Sequence, residues 1–400
     1  MTILVADNIA DVGTEVLEAA GHHVVVNASV SGDDLVAALS DEQPDVLVVR
    51  STNVTPEALD ASNPLSLIVR AGAGYDTIDV EGASARGIYV ANCPGKNSVA
   101  VAELTMGLIV AIDRQIPDNV SDAREGRWNK KAYAKAEGLK GRTLGIVGLG
   151  NIGEEVARRA LAFDLDVVAW SRSLTAERAE QLGIGYCDSP VDVARSCSIV
   201  TLHVASTADT HHLADRTFFE ALPKGSTFIN TTRAAVVDEE ALTWALEERG
   251  IRAGLDVMTG EPASKQAPFE HPLASHPNVY ITHHIGASTQ QAQDATALEA
   301  ARVVNTYGET GDVPNCVNLA TQSAATHQIT VRHLDKVGVL ARVLDEMSEA
   351  GWNIQEMENE VFSGAKAAVA TMRFDGTVAE DVEKRIAAQE DVLAVSVIGL

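Results

Sequence analysis

Three side chains suited to acid–base and charge-binding chemistry follow short apolar stretches in the second half of the chain: Arg233, Glu261 and His284. A guanidinium can hold a carboxylate through two parallel hydrogen bonds, and a carboxylate partner raises the pKa of a histidine and fixes its tautomer. His283 offers the same chemistry, and residue type alone does not choose between the two histidines. The pattern predicts proton transfer on a carboxylate-bearing substrate. On spacing alone, the alternative is a surface arginine with solvated loop carboxylates.

These residues need elements that bring them together, and their surroundings indicate a parallel sheet. The stretches before them are apolar and of strand length, and doubly wound folds place ligands at the carboxyl ends of such strands. Asp256 ends one of these stretches and could accept hydrogen bonds from a cofactor. His271 and His276 lie nearby in sequence, but their spacing matches no standard zinc pattern, so we predict no metal site.

A glycine-rich turn between a strand and a helix indicates that the chain binds a dinucleotide. Residues 144–147 are apolar, and three glycines at G-x-G-x-x-G spacing follow them. In this order the glycines permit a tight turn, a close approach of backbone amides to a pyrophosphate, and close packing of helix on strand. The helix N-terminus adds unpaired N–H groups and the positive end of its dipole. The predicted nucleotide-contacting residues are Gly148, Gly150, Asn151, Ile152 and Gly153.

The end of the next strand bears on which dinucleotide binds. NAD-binding domains usually place Asp or Glu about 20 residues after the glycines to hold the ribose 2′-hydroxyl. This chain has Ser171 there, followed by Arg172. An uncharged residue removes repulsion against a 2′-phosphate, and Arg172 could pair with that phosphate, which favours NADP. Alternatively, Arg172 stacks on the adenine and NAD binds, so the sequence predicts NAD or NADP.

The composition indicates which binding partners and which cellular compartment to expect. The chain carries 31 basic and 56 acidic residues, a formal charge of −25, which argues against nucleic acid or an anionic membrane surface as a partner. The longest apolar run, near residues 100–112, contains Glu103 and is too short to span a bilayer. The four cysteines are dispersed without C-x-x-C spacing, which is typical of reduced thiols. We therefore expect a soluble cytoplasmic protein that holds any anionic substrate with a few local arginines.

Alternating apolar strands and polar-start helices predict an α/β fold with two doubly wound parallel-sheet domains and a smaller third domain. We expect a flavodoxin-like substrate-binding domain from residues 1–97 and 284–318, with a Rossmann cofactor domain, residues 98–283, inserted in it. Residues 319–327 are polar and small and are predicted to form a linker. Residues 328–400 follow the order βαββαβ, which is the ferredoxin-like arrangement.

Together, several motifs resemble those of the D-isomer-specific 2-hydroxyacid dehydrogenases, and the resemblance covers nearly all of the chain. They are the R-A-G-x-G-x-D run at 70–76, the P-G-K-N-S loop at 94–98, the glycine motif, the Arg233 loop through Asp238-Glu239, the Glu261-Pro262 pair and the H-I-G-A-S-T run at 284–289. By this resemblance Arg233, Glu261 and His284 are the catalytic residues. It also favours His284 over His283, because the family's histidine lies two residues before the glycine.

The resemblance implies roles for residues that spacing alone does not single out. Substrate contacts are implied for Arg50, Ser51, Ala73, Gly74, Asn97 and Ser98, with Arg50 near a carboxylate or phosphate end. Cofactor contacts are implied for His203, Val204, Ala205, Thr231, Asp256 and Gly286, although Ala205 stands where a proline is usual. The segment 128–131 resembles one that helps hold a substrate phosphate across a dimer.

Residues 328–400 resemble an ACT domain, a small amino-acid-binding module. The resemblance implies that His333, Asp335 and Asn353 would meet L-serine at a dimer interface. Val337 replaces the usual proline, and Asp335 replaces an asparagine common in serine-inhibited members. The alternative is a domain that only dimerises.

The resemblance implies an NAD(P)-dependent enzyme, a homodimer or homotetramer, that oxidises D-3-phosphoglycerate to 3-phosphohydroxypyruvate, the first step of L-serine synthesis. The phosphorylated 2-hydroxy acid is then the small-molecule partner, and L-serine is a candidate effector. Ser171 and Arg172 leave open an NADPH-dependent glyoxylate or hydroxypyruvate reductase. A dinucleotide-sensing protein without turnover is the non-enzymatic alternative, and the complete set of Arg233, Glu261 and His284 argues against it.

Overall fold

The first five strands form one parallel sheet in the computed structural model, which describes residues 1–28, 30–262 and 267–400 of the chain. They are β1 (Thr2–Val5), β2 (His23–Val26), β3 (Val46–Val49), β4 (Leu67–Arg70) and β5 (Tyr89–Asn92). Their order is β2-β1-β3-β4-β5. The intervening helices are α1 (Asp11–Ala19), α2 (Asp33–Glu42), α3 (Pro56–Leu59) and α4 (Val80–Ala85). All four residues of β3 are buried, as expected for a central strand of a parallel sheet covered on both faces.

A second, seven-stranded parallel sheet follows. Its strands are β6 (Thr143–Val147), β7 (Asp166–Trp170), β8 (Gly185–Tyr186), β9 (Ile199–Leu202), β10 (Thr227–Asn230), β11 (Arg252–Leu255) and β12 (Val279–Ile281), in the order β12-β11-β10-β9-β6-β7-β8. The helices that accompany them are α7 (Asn151–Ala162), α8 (Ala176–Gln181), α9 (Pro190–Ser196), α10 (Arg216–Ala221) and α11 (Glu239–Arg249), numbered after α5 (Ser98–Arg114) and α6 (Ile116–Arg124). The strand order reverses between β6 and β9, which opens a crevice at the carboxyl edge.

Helix α5 carries the chain from the first sheet to the second, and α12 (Gln290–Thr310) carries it back. Thr289 caps α12 by accepting a hydrogen bond from the N–H of Ala292, and Gly311 ends the helix in the left-handed conformation. The helix packs against α1 and β4. Beyond it, the N–H of Val317 donates to the carbonyl of Val90 in β5. The second sheet is therefore inserted within the chain that builds the first, and both belong to one unit, Met1–Asn318.

The remaining residues form a second unit, Leu319–Leu400, around a four-stranded antiparallel sheet. Its elements are β13 (His327–Leu334), α13 (Val339–Glu349), β14 (Asn353–Val361), β15 (Ala367–Asp375), α14 (Glu380–Ala387) and β16 (Val392–Gly399). The strand order is β14-β15-β13-β16. Val343 and Met347 of α13 are buried, and Trp352 stacks on Phe374 with ring centroids 4.2 Å apart. This is the predicted βαββαβ arrangement with its own core.

The predicted fold class is confirmed, and the structure differs from the prediction only in individual short elements. Strand β8 was not predicted because it has only two residues and lies at the edge of its sheet. Helix α6 was also missed, since it buries none of its residues and so has no apolar face to reveal it. Of the helices that the structure describes, none is both long and apolar enough to cross a membrane.

Glu299 of α12 ties together the segments where the chain returns to the first sheet. Its side chain accepts hydrogen bonds from Arg302 and Asn315, and Lys96 lies 3.2 Å away. The hydrogen bond from Arg302 holds the pKa of this carboxyl at about 2, against the effect of its burial and with help from Asn315 and Lys96. The carboxylate therefore contributes stability above its ordinary pKa of 4.5 that is lost as the pH falls towards 2.

Replacing this carboxylate should destabilise the chain in a pH-dependent way. For Glu299→Gln we expect the free energy of unfolding to fall by roughly 1.5–3 kcal/mol at pH 7, because hydrogen bonds to a charged group are lost. The loss should be smaller at pH 3, and urea unfolding followed by circular dichroism at both pH values measures it. Glu309→Gln, on an exposed part of the same helix, is the matched control. Equal losses at both pH values would contradict the assigned ionisation.

Candidate active site

Three neighbouring strands of the second sheet deliver the predicted acid–base residues to one place. Strands β10, β11 and β12 are adjacent and parallel, so their carboxyl ends lie side by side. Arg233 follows β10, Glu261 follows β11 and His284 follows β12. The structure brings all three together: Glu261 contacts His284, and the charge of Arg233 acts on the pKa of both.

The closest of these contacts joins the histidine to the glutamate. His284 Nδ1 lies 2.7 Å from Glu261 Oε2, and the backbone N–H of Met258 donates to Glu261 Oε1 at 3.0 Å. The hydrogen bond to Glu261 raises the pKa of His284, against the opposing effects of burial and of Arg233. Burial alone would raise the pKa of Glu261, but the hydrogen bonds from His284 and Met258 lower it overall. The pair is therefore suited to an imidazole that gains and loses a proton at its Nε2 atom.

The backbone of His284 is held in an unusual conformation. Its φ of 51° lies in the left-handed region, which is uncommon for residues other than glycine. Asp256, only 1% exposed, accepts hydrogen bonds through its carboxylate from Thr282 Oγ1 at 2.6 Å and from the N–H groups of Ile285 and Gly286 at 2.8 Å. The carbonyl of Asp256 also accepts from the N–H of His284. This network fixes the turn that aims His284 into the pocket.

Arg233 is oriented by Asp76 of the first sheet's loops. Its Nε and Nη2 atoms donate to the two carboxylate oxygens of Asp76 at 3.3 and 3.2 Å, and its Nη1 donates to the carbonyl of Thr232. A guanidinium has five N–H groups, so one remains on each terminal nitrogen. Gly74 lies against this pair, where a Cβ atom would come within 2.5 Å of Arg233 Nη2. The free N–H groups form a second fork that can receive a substrate carboxylate.

The facing wall of the pocket comes from the first sheet. Asp7 accepts hydrogen bonds from the backbone N–H groups of Arg50, Ser51 and Thr52 at 2.6, 3.0 and 3.0 Å, which shapes the loop after β3. Arg50 and Ser51 line a pocket of about 680 Å³ together with Asn97, Glu261 and His284. The pocket also receives Arg70, whose burial lowers the pKa of its guanidinium. Two arginines thus line the pocket, beside the carboxylates of Asp7, Asp256 and Glu261.

Two further predicted substrate residues have polar atoms without partners. Asn97 Oδ1 and Ser98 Oγ are buried and make no hydrogen bond within the described part of the chain. Buried polar atoms usually have partners, and of these two residues Asn97 lines the pocket, where a ligand could supply the missing partner. Ala73 lies close by, and its carbonyl accepts a hydrogen bond from Asn92 Nδ2 at 2.7 Å.

The glycine turn after β6 has the shape that a dinucleotide requires. Gly148 has a φ of 99°, and a Cβ atom there would lie 2.5 Å from the carbonyl oxygen of His203. A Cβ on Gly153 would lie 2.2 Å from the carbonyl oxygen of Gly148, whereas one on Gly150 would meet open space. No side chain caps α7, which starts at Asn151 and continues through Ile152. Its first N–H groups are therefore free to bind phosphate, and these residues fit NAD or NADP.

The other predicted cofactor residues differ in their solvent exposure. His203 is buried, which lowers the pKa of its imidazole to about 3, and its Nδ1 has no partner among the described residues. Thr231 is buried, and its hydroxyl lies 3.3 Å from that of Thr105 in α5. Val204 is half-buried, and Ala205 is exposed. These residues lie after β9 and β10, next to the crevice at β6.

Ser171 and Arg172 lie directly after β7, where the ribose 2′ position is expected. Arg172 is exposed, and its Nη1 lies 4.0 Å from a carboxylate oxygen of Asp209. The described residues contain no group of three or more His, Cys, Asp or Glu side chains placed to hold a metal ion.

The three predicted effector residues lie in the second unit. His333 is 2% exposed, and its ring nitrogens contact the carbonyl of Leu334 at 2.8 Å and Asn359 Oδ1 at 3.1 Å. Asp335 and Asn353 are exposed at the end of β13 and the start of β14. Asp335 and Asn353 are thus open to a ligand, while both ring nitrogens of His333 already have internal partners.

Sequence reasoning gave no role to Asp7, Asp76 or Glu239. Asp7 follows β1 and Asp76 ends the R-A-G-x-G-x-D run, so a carboxylate after a parallel strand was the available signal for these two. The hydrogen-bond partners of the three carboxylates lie 20 to 157 residues away along the chain, which no local pattern reveals.

Comparison with known proteins places the chain in a family. Residues 106–286 match the model described as D-isomer specific 2-hydroxyacid dehydrogenase, NAD binding domain. A hydroxypyruvate reductase from Thermotoga maritima is 39% identical over 277 residues, which cover 69% of this chain and 88% of that protein. The chain belongs to the D-isomer-specific 2-hydroxyacid dehydrogenases.

Two further similar proteins are phosphoglycerate dehydrogenases. A D-3-phosphoglycerate dehydrogenase from Methanocaldococcus jannaschii is 37% identical over 319 residues, or 79% of this chain, and the chain spans 59% of that relative's length. The crystal structure of NAD⁺-bound 3-phosphoglycerate dehydrogenase from Entamoeba histolytica is similar with a TM-score of 0.67 and 27% identity. That similarity covers 80% of this chain and 99% of the other.

Two glycine substitutions should distinguish a glycine needed for folding of the turn from a glycine needed for dinucleotide binding. Gly153→Ala should destabilise the chain by roughly 1–3 kcal/mol, because its Cβ would overlap a backbone carbonyl. Gly150→Ala should leave the melting temperature unchanged and weaken dinucleotide binding about tenfold or more, because its Cβ enters the space assigned to the phosphates. Thermal melts and calorimetric titration with NAD⁺ and NADP⁺ measure both. Unchanged binding by Gly150→Ala would contradict this placement.

Proposed function

We propose that this chain catalyses the NAD(P)-dependent oxidation of D-3-phosphoglycerate to 3-phosphohydroxypyruvate. The observation that carries the proposal is the contact of His284 Nδ1 with Glu261 beside the arginine-lined pocket. The D-3-phosphoglycerate dehydrogenase from M. jannaschii, similar over 79% of this chain, supports the choice of substrate. A protein that only senses a dinucleotide needs no acid–base pair of this kind. The pair therefore favours an enzyme over a non-catalytic dinucleotide sensor.

His284 moves the proton in this mechanism. With Nδ1–H held by Glu261, its Nε2 lone pair faces the pocket and takes the proton of the substrate hydroxyl. Glu261 stabilises the imidazolium that results and keeps the ring in this tautomer. A nicotinamide cofactor held at the glycine turn would supply the hydride acceptor for the carbon that bears this hydroxyl. In the reverse direction the imidazolium returns its proton to the carbonyl oxygen.

Positive charge holds the two ends of the substrate. The free fork of Arg233, left by its contacts with Asp76 and Thr232, grips the carboxylate and polarises the adjacent carbonyl. Arg50 lies on the opposite wall and binds the carboxylate or phosphate end, with Asn97 and Ser98 supplying polar contacts. Ser51, Ala73 and Gly74 complete the substrate-binding loops.

The glycine turn, together with Ser171, Arg172, His203, Val204, Ala205, Thr231, Asp256 and Gly286, binds the cofactor in this proposal. An NADPH-dependent glyoxylate or hydroxypyruvate reductase is the second candidate function. It is favoured by the absence of an acid at Ser171 and by the similarity to the T. maritima hydroxypyruvate reductase. The exposed Arg172 is free to turn from Asp209 towards a 2′-phosphate, because both side chains are largely solvated.

The wider organisation is also a proposal. Residues 1–97 and 284–318 bind substrate, 98–283 bind the cofactor, and 319–327 link them to an ACT-like regulatory unit, 328–400, with L-serine as a candidate effector at His333, Asp335 and Asn353. A cytoplasmic homodimer or homotetramer fits α6, which buries none of its residues and exposes Ile116 and Val120, and Trp128, which is 87% exposed.

Removal of the proposed base should abolish most of the turnover while sparing the cofactor site. For His284→Ala we expect kcat to fall by about 10²- to 10⁴-fold, the usual contribution of a positioned acid–base group. Dinucleotide affinity should stay unchanged. Initial rates with D-3-phosphoglycerate and fluorescence titration of the cofactor measure the two effects. Undiminished turnover would reject the assigned mechanism.

A substrate and cofactor panel on the wild-type chain decides between the two candidate functions. D-3-phosphoglycerate, glyoxylate and hydroxypyruvate are each assayed with both cofactors, with and without L-serine. The proposal requires the highest kcat/KM for D-3-phosphoglycerate. Faster glyoxylate turnover with NADPH and indifference to L-serine would favour the reductase.

A further inference from the structure

The loop that carries Glu261 is fastened to the neighbouring helix by a second carboxylate. Glu239 is the first residue of α11, six residues after Arg233. Its Oε1 accepts a hydrogen bond from the backbone N–H of Thr259 at 2.7 Å, and its Oε2 accepts from Thr259 Oγ1 at 2.5 Å. Thr259 lies two residues before Glu261, so both ends of the Glu239 carboxylate act on the segment that positions the general base's partner.

His271 supports this carboxylate from the other side. The backbone N–H of Leu273 donates to His271 Nδ1 at 3.2 Å, so the ring hydrogen of the neutral tautomer lies on Nε2. Nε2 is 3.4 Å from Glu239 Oε2. The side chains of His271 and Glu239 are 12% and 22% exposed, which shields the contact from solvent. His271 thus faces Glu239 with a donor.

These contacts complete a connection across three strand ends. Asp256, after β11, accepts hydrogen bonds from the segment after β12 that contains His284. Glu239, in the segment after β10, holds the loop after β11 that contains Glu261. One carboxylate therefore fixes His284, and the other fixes Glu261. The 2.7 Å separation of His284 Nδ1 and Glu261 Oε2 depends on both.

We propose that Glu239, supported by Thr259 and His271, is a positioning residue that holds Glu261 at its hydrogen-bonding distance from His284. The inference rests on the proposed function of His284 as the proton-transfer group. Glu239 itself touches neither substrate nor cofactor. Its action passes through Thr259 to Glu261 and then to His284.

The direction of the effect follows from the charges that face His284. Glu261 raises the pKa of His284 through its hydrogen bond, Asp256 acts in the same direction, and Arg233 opposes both. Loosening the loop lengthens the contact with Glu261 while leaving Arg233 and Asp256 in place. The pKa of His284 must then fall towards its ordinary value of 6.5. In the oxidation, where the neutral ring is required, the acid limb of the rate profile moves to lower pH.

The test compares matched variants of the full-length chain. Glu239→Gln removes the charge and one acceptor, and Glu248→Gln makes the same change at an exposed position of α11. Thr259→Val removes the hydroxyl that Glu239 binds, whereas Thr259→Ser keeps it. The pKa of His284 is measured by NMR titration of its imidazole, assigned by the signal missing in His284→Ala. The pH profile of kcat/KM with D-3-phosphoglycerate is recorded in parallel.

We expect Glu239→Gln and Thr259→Val to lower the His284 pKa and to reduce kcat by roughly ten- to a hundredfold, with KM little changed, because the reacting groups are misplaced. Glu248→Gln should match the wild type, and Thr259→Ser should restore most of what Thr259→Val loses. A fall in activity with an unchanged His284 pKa would overturn the proposal, since it would indicate only a loss of folded enzyme. If Glu239→Gln does not fold, the Thr259 pair decides by the same criterion.

The NMR measurement also separates this inference from the proposed function. A wild-type chain that turns over none of the tested 2-hydroxy acids would reject the proposed function. A His284 pKa that still falls in Glu239→Gln and Thr259→Val would support the positioning role even then. An unchanged pKa in both variants would reject it.

Discussion

A single buried carboxylate, that of Asp256, holds the segment that carries His284. A carboxylate removed from water costs several kcal/mol unless hydrogen bonds compensate it. Thr282, Ile285 and Gly286 supply three such donors, all from the segment around His284. Because several hydrogen bonds fix the same short segment, they can hold His284 at a φ of 51°, a conformation that costs energy for a residue with a side chain. The direction of the imidazole is therefore a consequence of the buried charge.

Other carboxylates also join separate segments through hydrogen bonds. Asp7 accepts hydrogen bonds from three backbone N–H groups of the Arg50 loop, and Asp76 orients the guanidinium of Arg233. Glu299 contacts Lys96, Arg302 and Asn315. In a chain of net charge −25, these carboxylates hold loops and side chains in place. Local charge at the pocket is mixed, with Arg50 and Arg70 beside three carboxylates in the same lining.

Most of the fold could be predicted from the sequence, because parallel strands buried on both faces are short apolar runs between helical segments. Strand β3 (Val46–Val49), for example, is entirely apolar and entirely buried. The two-residue β8 and the wholly unburied α6 carry no such pattern and were missed. The insertion of the second sheet was an expectation from the order of the elements. The hydrogen bond from Val317 to Val90, which are more than 200 residues apart, lies beyond any local pattern.

The candidate site could be predicted less completely, and its limits have a physical cause. The spacing indicated Arg233, Glu261 and one of His283 and His284, because each follows a strand and parallel strands end at one edge. The family resemblance then favoured His284. The spacing could not reveal that Asp76 orients Arg233 or that Glu239 holds the loop of Glu261, since both contacts join different loops. The choice of NAD or NADP also stayed open, because the exposed pair Arg172 and Asp209 is free to rearrange around a ligand.

The central claim is that Glu261 sets the protonation of the base His284. The most direct measurement is the pH dependence of kcat/KM for D-3-phosphoglycerate oxidation by the wild-type chain and by Glu261→Gln. The structure predicts an acid limb above pH 6.5 in the wild type, because Glu261 raises the pKa of His284, and a limb at lower pH with a reduced maximum in the variant. An acid limb at the same pH in both enzymes would contradict this account.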